Sequence, residues 1–428
     1  MTEGEGLAAR RRAQGEEVAS AVDAARLLSL VDEVSSQGAL PDKGVERLAL
    51  TESDLAARRL LVDLARSLGA TPFRDAAGNF FFRWRGQADL KPVVIGSHLD
   101  TQPQAGPLDG ALGVCSGIET MRALTTTGIQ TRRPIEVAIW TNEEGCRFAP
   151  GTMGSAAFAD PGLLESFKAS RDEHGVSFGE ALGALDSSFQ DVPLRELCRP
   201  LSAFLEVHVE GGSVLDVNAG QLGVVDRVQG ARWFQARIIG QSAHPGTTPL
   251  SRKHDALMAA VEVASRLYEL LRDGDEHLRL TIGRMRVEPG SINVIPGKVE
   301  LSIDLRHPDS AVLDSVEALI SAMAGPVVGC DVTLERTMLA EPIEFDNRIV
   351  DLLERNSQRL GLPCRTLASG SFHDAVRLAR LCPTGMIFVP SIGGLSHNPE
   401  EWTPPRDMAA ATRLLALTAV ELADQDGN

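Results

Sequence analysis

Five short segments concentrate the residue types that hold metal ions and activate water. They are Gly96-Ser97-His98-Leu99-Asp100-Thr101, Pro107-Leu108-Asp109-Gly110, Thr141-Asn142-Glu143-Glu144-Gly145, Glu206-Val207-His208-Val209-Glu210 and Gly393-Gly394-Leu395-Ser396-His397-Asn398-Pro399-Glu400-Glu401. In the first, a histidine two residues before an aspartate can put its imidazole on a metal while the aspartate steadies the ring. In the third, two adjacent acids can divide the labour, one ligating and the other moving protons. In the fourth, strand alternation sets Glu206, His208 and Glu210 on one face. Each segment alone also fits a structural role: a core histidine, a turn aspartate, a solvated strand end or a loop histidine. What they share is position. Each follows an apolar run, at the point where a strand gives way to a loop, and open α/β sheets bind ligands just beyond strand carboxyl ends.

The elements that must position these residues can be read from hydrophobic periodicity. Residues from Gly6 to about Gly38 and from Glu52 to Leu68 have helical spacing, with Thr51 and Asp54 as a helix-start signal. Strand-like runs follow at Phe80–Trp84, Pro92–Ile95 and Ile135–Trp140, with a helical stretch, Val114–Thr125, between the last two. Phe204–Val209 continues the series, and the order predicts a parallel or mixed α/β sheet. From about Asn218 the pattern changes: strands at Val224–Val228 and Trp233–Ile239, a helix at Asp255–Arg272, strands at Leu278–Met285 and Lys298–Leu305, a helix at Val312–Met323 and a strand at Asp331–Leu334. This is the order of a small ferredoxin-like α+β domain. After Ile349 the first pattern returns, so residues 217–331 read as an insertion into a domain made of 1–216 and 332–428.

The bulk numbers exclude several classes. A chain of 428 residues is too long for one ordinary core. Its net charge of -16 argues against nucleic acid or an acidic membrane surface as partner. No apolar run is long enough to span a bilayer, and the first residues lack an apolar signal core, so the expected location is cytoplasmic. The six cysteines form no C-x-x-C pair. Gly113-Val114-Cys115-Ser116-Gly117 mimics a nucleophile elbow, but an elbow must follow a strand directly and here a glycine-rich loop precedes it. Cys115 is therefore read as a buried thiol.

Taken in order, G-S-H-L-D-T, P-L-D-G, T-N-E-E-G-C-R-F, E-V-H-V-E and G-L-S-H-N-P-E-E resemble the hydantoinase/carbamoylase family, within the di-zinc superfamily of aminoacylase and carboxypeptidase G. The likeness extends from about Gly44 to Thr403. It implies a di-zinc exopeptidase-like catalytic domain, a mixed sheet flanked by helices, with an inserted ferredoxin-like dimerisation or lid domain. It implies two divalent ions, with zinc expected and manganese, cobalt or nickel possible. Asp109 would bridge them, His98 and His208 completing one set and Glu144 and His397 the other. Asp100 would orient His98, Glu143 would be general base and acid, and the Asp109–Gly110 peptide would be cis. A histidine at position 208 is similar to the carbamoylase, allantoate and β-ureidopropionate branch. Gln241–Pro249 resembles the family's A-H-A-G-T-T-P loop, which makes His244 an oxyanion donor reaching in from the neighbouring subunit of a homodimer. Asn293 and Arg306 match the family's carboxylate grip.

The implied reaction is hydrolysis of a linear amide or ureido C–N bond, foremost that of an N-carbamoyl-L-amino acid. A hydrolase of N-acyl amino acids or dipeptides, and a non-catalytic binding protein, are the alternatives. Two positions depart from the family. Gly211 stands where a glutamine is usual, and Phe372 replaces a glycine in Ser369–Ala375. Both bear on substrate choice. His174, His254, His277 and His307 have no such context and are expected at the surface.

Overall fold

The computed structural model describes residues 3–41, 43–215, 220–272, 275 and 277–425. Contacts divide the chain into two units, Met1–Asp226 with Phe345–Asn428, and Arg227–Glu344. The expected boundary at 216/217 lies outside the described residues. The later division falls at 344/345 rather than 331/332, because a long strand keeps the chain in the second unit to Ala340.

The strands are β1 (Thr71–Arg74), β2 (Phe80–Trp84), β3 (Val93–His98), β4 (Ile135–Trp140), β5 (Ala203–Val209), β6 (Leu222–Val228), β7 (Gly230–Ile239), β8 (Arg279–Glu288), β9 (Lys298–His307), β10 (Gly325–Val327), β11 (Cys330–Ala340), β12 (Ile343–Glu344), β13 (Cys364–Ser369) and β14 (Thr384–Val389). The helices are α1 (Glu3–Ser20), α2 (Ala24–Ser35), α3 (Glu52–Ser67), α4 (Ala111–Thr127), α5 (Met153–Ala159), α6 (Leu164–Lys168), α7 (Phe178–Ser188), α8 (Ala256–Leu271), α9 (Ser310–Ser321), α10 (Asn347–Arg359), α11 (Asp374–Leu378) and α12 (Pro405–Asp424).

The larger sheet runs β1-β2-β4-β3-β5-β14-β6-β12, with β13 also on β6. β4, β3, β5 and β14 are mutually parallel at its centre, and the flanking strands are antiparallel. Every residue of those four strands is buried, as expected where helices cover both faces of a sheet. α4 packs so closely that Gly113 and Gly117 have no room for a side chain. A Cβ on Gly113 would sit 2.4 Å from the Val207 carbonyl, and one on Gly117 2.9 Å from Val137. The glycines of the elbow-like motif thus serve helix–sheet packing, and Cys115 lies buried within α4.

Two local expectations change. The first helical stretch is two helices, because Asp23 leaves the helical conformation and caps α2 by accepting from Arg26 N at 2.9 Å. At the start of α3, Thr51 makes no cap bond; Asp54 instead accepts from Leu50 N at 2.8 Å and pairs with the buried Arg58.

In the second unit the sheet order is β10-β11-β7-β9-β8, all antiparallel. With α8 and α9 as crossovers, β7-α8-β8-β9-α9-β11 is the split βαβ arrangement. Val299, Leu301, Ile303 and Leu305 alternate inward along β9 against both helices. The run Val224–Val228, expected as the first strand here, is instead part of β6, which pairs with β14 in the larger sheet. Its apolar pattern suits either sheet, so its partner is a tertiary choice.

Candidate metal centre

Three strand ends meet at one place. β3 delivers His98 as its last residue, β4 leads into the Thr141–Glu144 turn, and β5 holds His208. Trp140, the last residue of β4, is anchored edge-on against Phe81, Phe158 and Phe204, with ring centroids 5.5, 5.3 and 6.0 Å away. Beyond it, Asn142 takes a left-handed backbone (φ 55°) and its amide donates to the Phe148 and Pro150 carbonyls. That folds the turn back so that Glu143 and Glu144 face the end of β3.

Asp109 sits at the centre. Its Oδ1 lies 3.1 Å from His208 Nε2 and 3.6 Å from His98 Nε2, and its Oδ2 lies 3.2 Å from His397 Nε2. His397 Nε2 is also 3.5 Å from Glu144 Oε2. The two oxygens of one carboxylate thus face two separate donor sets: His98, Asp109 and His208, and Asp109, Glu144 and His397. Ligand atoms within each set lie within 4.8 Å of one another. Glu143 stands beside them, with Oε2 3.6 Å from His98 Nε2.

Buried negative charge is in surplus here. Burial and then the charges of Asp374 and Glu144 push Glu143 well above the usual carboxylate range. Burial and then Asp109 push Glu144 up to about 8. Burial lowers His98 to about 4, whereas for His208 the charge and hydrogen bond of Asp109 outweigh burial and raise it to about 10. Glu144 Oε1 is buried without a hydrogen-bond partner among the described residues. Crowded carboxylates, imidazole nitrogens aimed at a shared carboxylate and an orphaned buried oxygen are what a cation site requires, so the residues present fit a divalent ion.

Two expected details are corrected. The ring of His98 is held at Nδ1 by the Asp100 carbonyl at 2.8 Å, not by its carboxylate. That carboxylate accepts the backbone N–H groups of Glu143 and Glu144 at 3.2 and 3.1 Å, tying the ends of β3 and β4 together. Nor is the Asp109–Gly110 peptide cis; the cis bonds among the described residues are Ala149–Pro150 and Glu288–Pro289. Gly110 makes the turn with φ 66° instead, and a Cβ there would lie 2.3 Å from the His98 ring.

Several participants stand in the quoted segments but had no role assigned from the sequence. Glu401 Oε1 accepts the N–H groups of Leu108 and Asp109, both at 2.9 Å, and Ser396 Oγ lies 2.8 Å from Asp109 Oδ2 and 3.0 Å from Glu401 Oε2. His373 is buried with its ring centroid 4.5 Å from that of His208, and with Glu206 and His208 it forms a further group of potential ligands. Glu206 accepts from Ser97 Oγ at 2.7 Å and from Ala375 N at 3.1 Å. The adjacent pair His373-Asp374 was the available signal, overshadowed by Phe372, which is half-buried. Gly211 donates its N–H to Ser391 Oγ at 2.9 Å and has φ 65°, a conformation that disfavours any side chain.

His244, Asn293 and Arg306 lie on the second unit. His244 is exposed, and Gly246 N donates to its Nδ1 at 3.1 Å, so the neutral ring carries its proton on Nε2. Asn293 Oδ1 accepts from Ser291 Oγ at 2.7 Å, and Arg306 is forked onto Asp304 at 2.9 to 3.1 Å. Of the four histidines expected at the surface, His307 is buried and bonds Asp275 Oδ2 at 2.9 Å. The inward alternation along β9 puts it there.

Known proteins are similar to this chain in sequence and fold. Residues 94–421 match the profile of peptidase family M20/M25/M40. The chain is 36% identical over 410 residues to an N-carbamoyl-L-amino-acid amidohydrolase of Rhizobium meliloti, covering 94% of this chain and 97% of the relative. It is 32% identical to an allantoate amidohydrolase of Bacillus subtilis, covering 92% and 96%. The crystal structure of a hydantoinase/carbamoylase family amidase from Burkholderia multivorans superposes with a TM-score of 0.86 at 40% identity, covering 94% and 98%. With the central carboxylate between two histidine-bearing donor sets, these matches place the chain in peptidase family M20/M25/M40, among the hydantoinase/carbamoylase amidases.

Proposed function

We propose that this chain is a two-metal amidohydrolase that cleaves a linear C–N bond in a small carboxylate-bearing ureido acid, foremost an N-carbamoyl-L-amino acid. The observation that carries the reading is the division of Asp109 between two donor sets, with Glu143 alongside. His98, Asp109 and His208 would hold one divalent ion, and Asp109, Glu144 and His397 the other. Histidine and carboxylate donors suit zinc, and also manganese, cobalt or nickel. When bound, such ions acidify a water and polarise a carbonyl.

The chain's own groups do the rest. Glu143 accepts a proton from the attacking water and delivers it to the leaving nitrogen; its buried, acid-crowded setting makes it a stronger base than a solvated glutamate. His244, protonated on Nε2, donates to the developing oxyanion. Arg306 and Asn293 grip the substrate carboxylate, with the guanidinium turning from Asp304 to a second bidentate partner. A carbamoyl substrate then yields the free amino acid with carbamate, which breaks down to carbon dioxide and ammonia. The names of the relatives from Rhizobium meliloti and Bacillus subtilis support a ureido substrate.

The reading includes a cytoplasmic homodimer in which His244 serves the partner's site. Among the described residues, no helix is long and apolar enough to cross a membrane.

The test is a metal-reconstituted screen of N-carbamoyl, N-acyl and ureido acids, with Glu143→Gln as control. Turnover on carbamoyl substrates, lost in E143Q with metal retained, is expected. Full metal loading with no turnover on any substrate would refute it, and faster turnover of acyl substrates would refute the ureido assignment. Mixing inactive His244→Ala with E143Q should restore activity to about a quarter of the sites if the histidine crosses between subunits. No restoration refutes that arrangement.

A further inference from the structure

We propose a second small-molecule site in the first unit: a groove between α1, α10 and α12 that binds a compact organic dianion, a phosphate monoester or a dicarboxylate. It shares no residue with the metal centre and is independent of the function proposed above. The cavity is about 330 Å³, within the size range of small-molecule pockets, about 300–1,000 Å³. A liquid water takes up about 30 Å³, so the groove has room for an organic body beside an anionic head.

Its chemistry stands out against the chain. The net charge is -16, yet Arg11, Arg12, Arg355 and Arg359 all line this one groove. Packing brings them together. Gly15 lets α1 lie against α12, since a Cβ there would be 2.6 Å from Leu417 Cδ1, and this sets Arg11 and Arg12, one turn earlier, at the groove. Along α10, Leu352, Arg355, Asn356 and Arg359 recur at the three- and four-residue spacing of a single helix face.

Arg359 is held ready. Its Nη1 donates to Asn356 Oδ1 at 2.9 Å and also meets Glu421, and its Nη2 lies 2.7 Å from Glu16 Oε1. Asn356 is fully buried and fixed in turn by Thr418 Oγ1 at 3.1 Å. Glu16 and Glu421 both pair with Arg359, and Asp424 faces Arg11. Arg12 and Arg355 have no hydrogen-bond or ion-pair partner among the described residues. Two unpaired guanidinium groups around a cavity also lined by Leu352 call for a ligand of two negative charges on an organic frame. Guanidinium forks bind phosphate and carboxylate oxygens in pairs.

The test is calorimetric titration of the metal-loaded full-length protein with ribose 5-phosphate, succinate and inorganic phosphate at constant ionic strength. Saturable binding of ribose 5-phosphate or of succinate is expected, and the tighter of the two identifies the anionic head. The double variant R12Q/R355Q should weaken it by about 10–100-fold, the loss of one or two charge-assisted contacts, while R85Q, at an exposed arginine that does not line the groove, leaves it unchanged. Metal content and hydrolytic activity of R12Q/R355Q without the dianion should match the parent, which separates a local effect from misfolding. The proposal is overturned if neither organic dianion binds saturably, or if R12Q/R355Q binds as tightly as the parent.

Discussion

Glu401 is placed to govern metal binding without touching a metal, and its replacement by alanine gauges how strongly. Its carboxylate accepts two backbone N–H groups, from Leu108 and Asp109, and faces the Ser396 hydroxyl. Glu401 is 2% exposed, so bulk water does not reach these donors in the intact protein. Alanine strands two buried N–H donors at about 1–3 kcal/mol each, hence about 2–6 kcal/mol in total. The turn that aims Asp109 relaxes, and the loss of such outer partners weakens metal binding by about 10–100-fold. Glutamine is the contrast. Its Oε1 can accept both N–H groups, and its amide can donate to Ser396 Oγ, leaving the hydroxyl proton for Asp109 Oδ2. Titration of apo protein with zinc and with manganese, alongside thermal unfolding of the apo form, measures both effects. E401A should lose affinity and stability, and E401Q should stay close to the parent. The reasoning is refuted if E401A binds metal as tightly as the parent, or if E401Q is as impaired as E401A.

Gly110→Ala should displace the His98 ring, because its Cβ would lie 2.3 Å from that ring at φ 66°. Metal titration should show the loss at the His98–His208 set, and two unimpaired binding steps would contradict it. Cys115 and Cys382 are buried, with burial pushing both thiols up to about 12, whereas Cys146 and Cys198 are exposed. Alkylation mapped by mass spectrometry on native protein should therefore label Cys198 first and spare Cys115 and Cys382, with Cys146 slower than Cys198 because burial and then Glu144 push its thiol up to about 12 as well. The carboxyl of Asp191 is held below the usual carboxylate range, first by Arg59 and then by Arg66. Its contribution is thus present above the ordinary aspartate pKa and lost as pH falls below it. Both partners are partly exposed, so Asp191→Asn should cost at most about 1 kcal/mol at pH 7 in low salt and almost nothing in 1 M salt, as read by denaturant unfolding.

The legible features were the local ones. His208 could be singled out because a polar residue within an apolar strand is conspicuous, and His98 because it ends one. The role of Glu401 could not be, since its partners lie 292 and 293 residues away and are backbone groups that leave no mark in the sequence. The H-x-D spacing at His98 allows either the carbonyl or the carboxylate of Asp100 to meet the ring. The choice falls to the carbonyl because the Glu143–Glu144 turn claims the carboxylate. The first helices merged because Ala21 and Val22 do not interrupt helical periodicity, and only the cap at Asp23 does. Val224–Val228 reads correctly as a strand, but its partner β14 comes from a distant part of the chain.

The two ligand sets differ in their access to water, which bears on metal exchange. The side chain of His397 is 52% exposed, on a loop where it adopts φ 53°, while those of His98 and His208 are 1% and 6% exposed. On the two-metal reading proposed above, an ion between Asp109, Glu144 and His397 would leave by the swing of one loop, whereas its neighbour would await opening of the strand ends. Chelation should therefore be biphasic, with one equivalent stripped quickly and the other slowly. The enzyme would pass through a half-loaded form, so preparations of identical sequence could differ in activity through nothing more than their purification history.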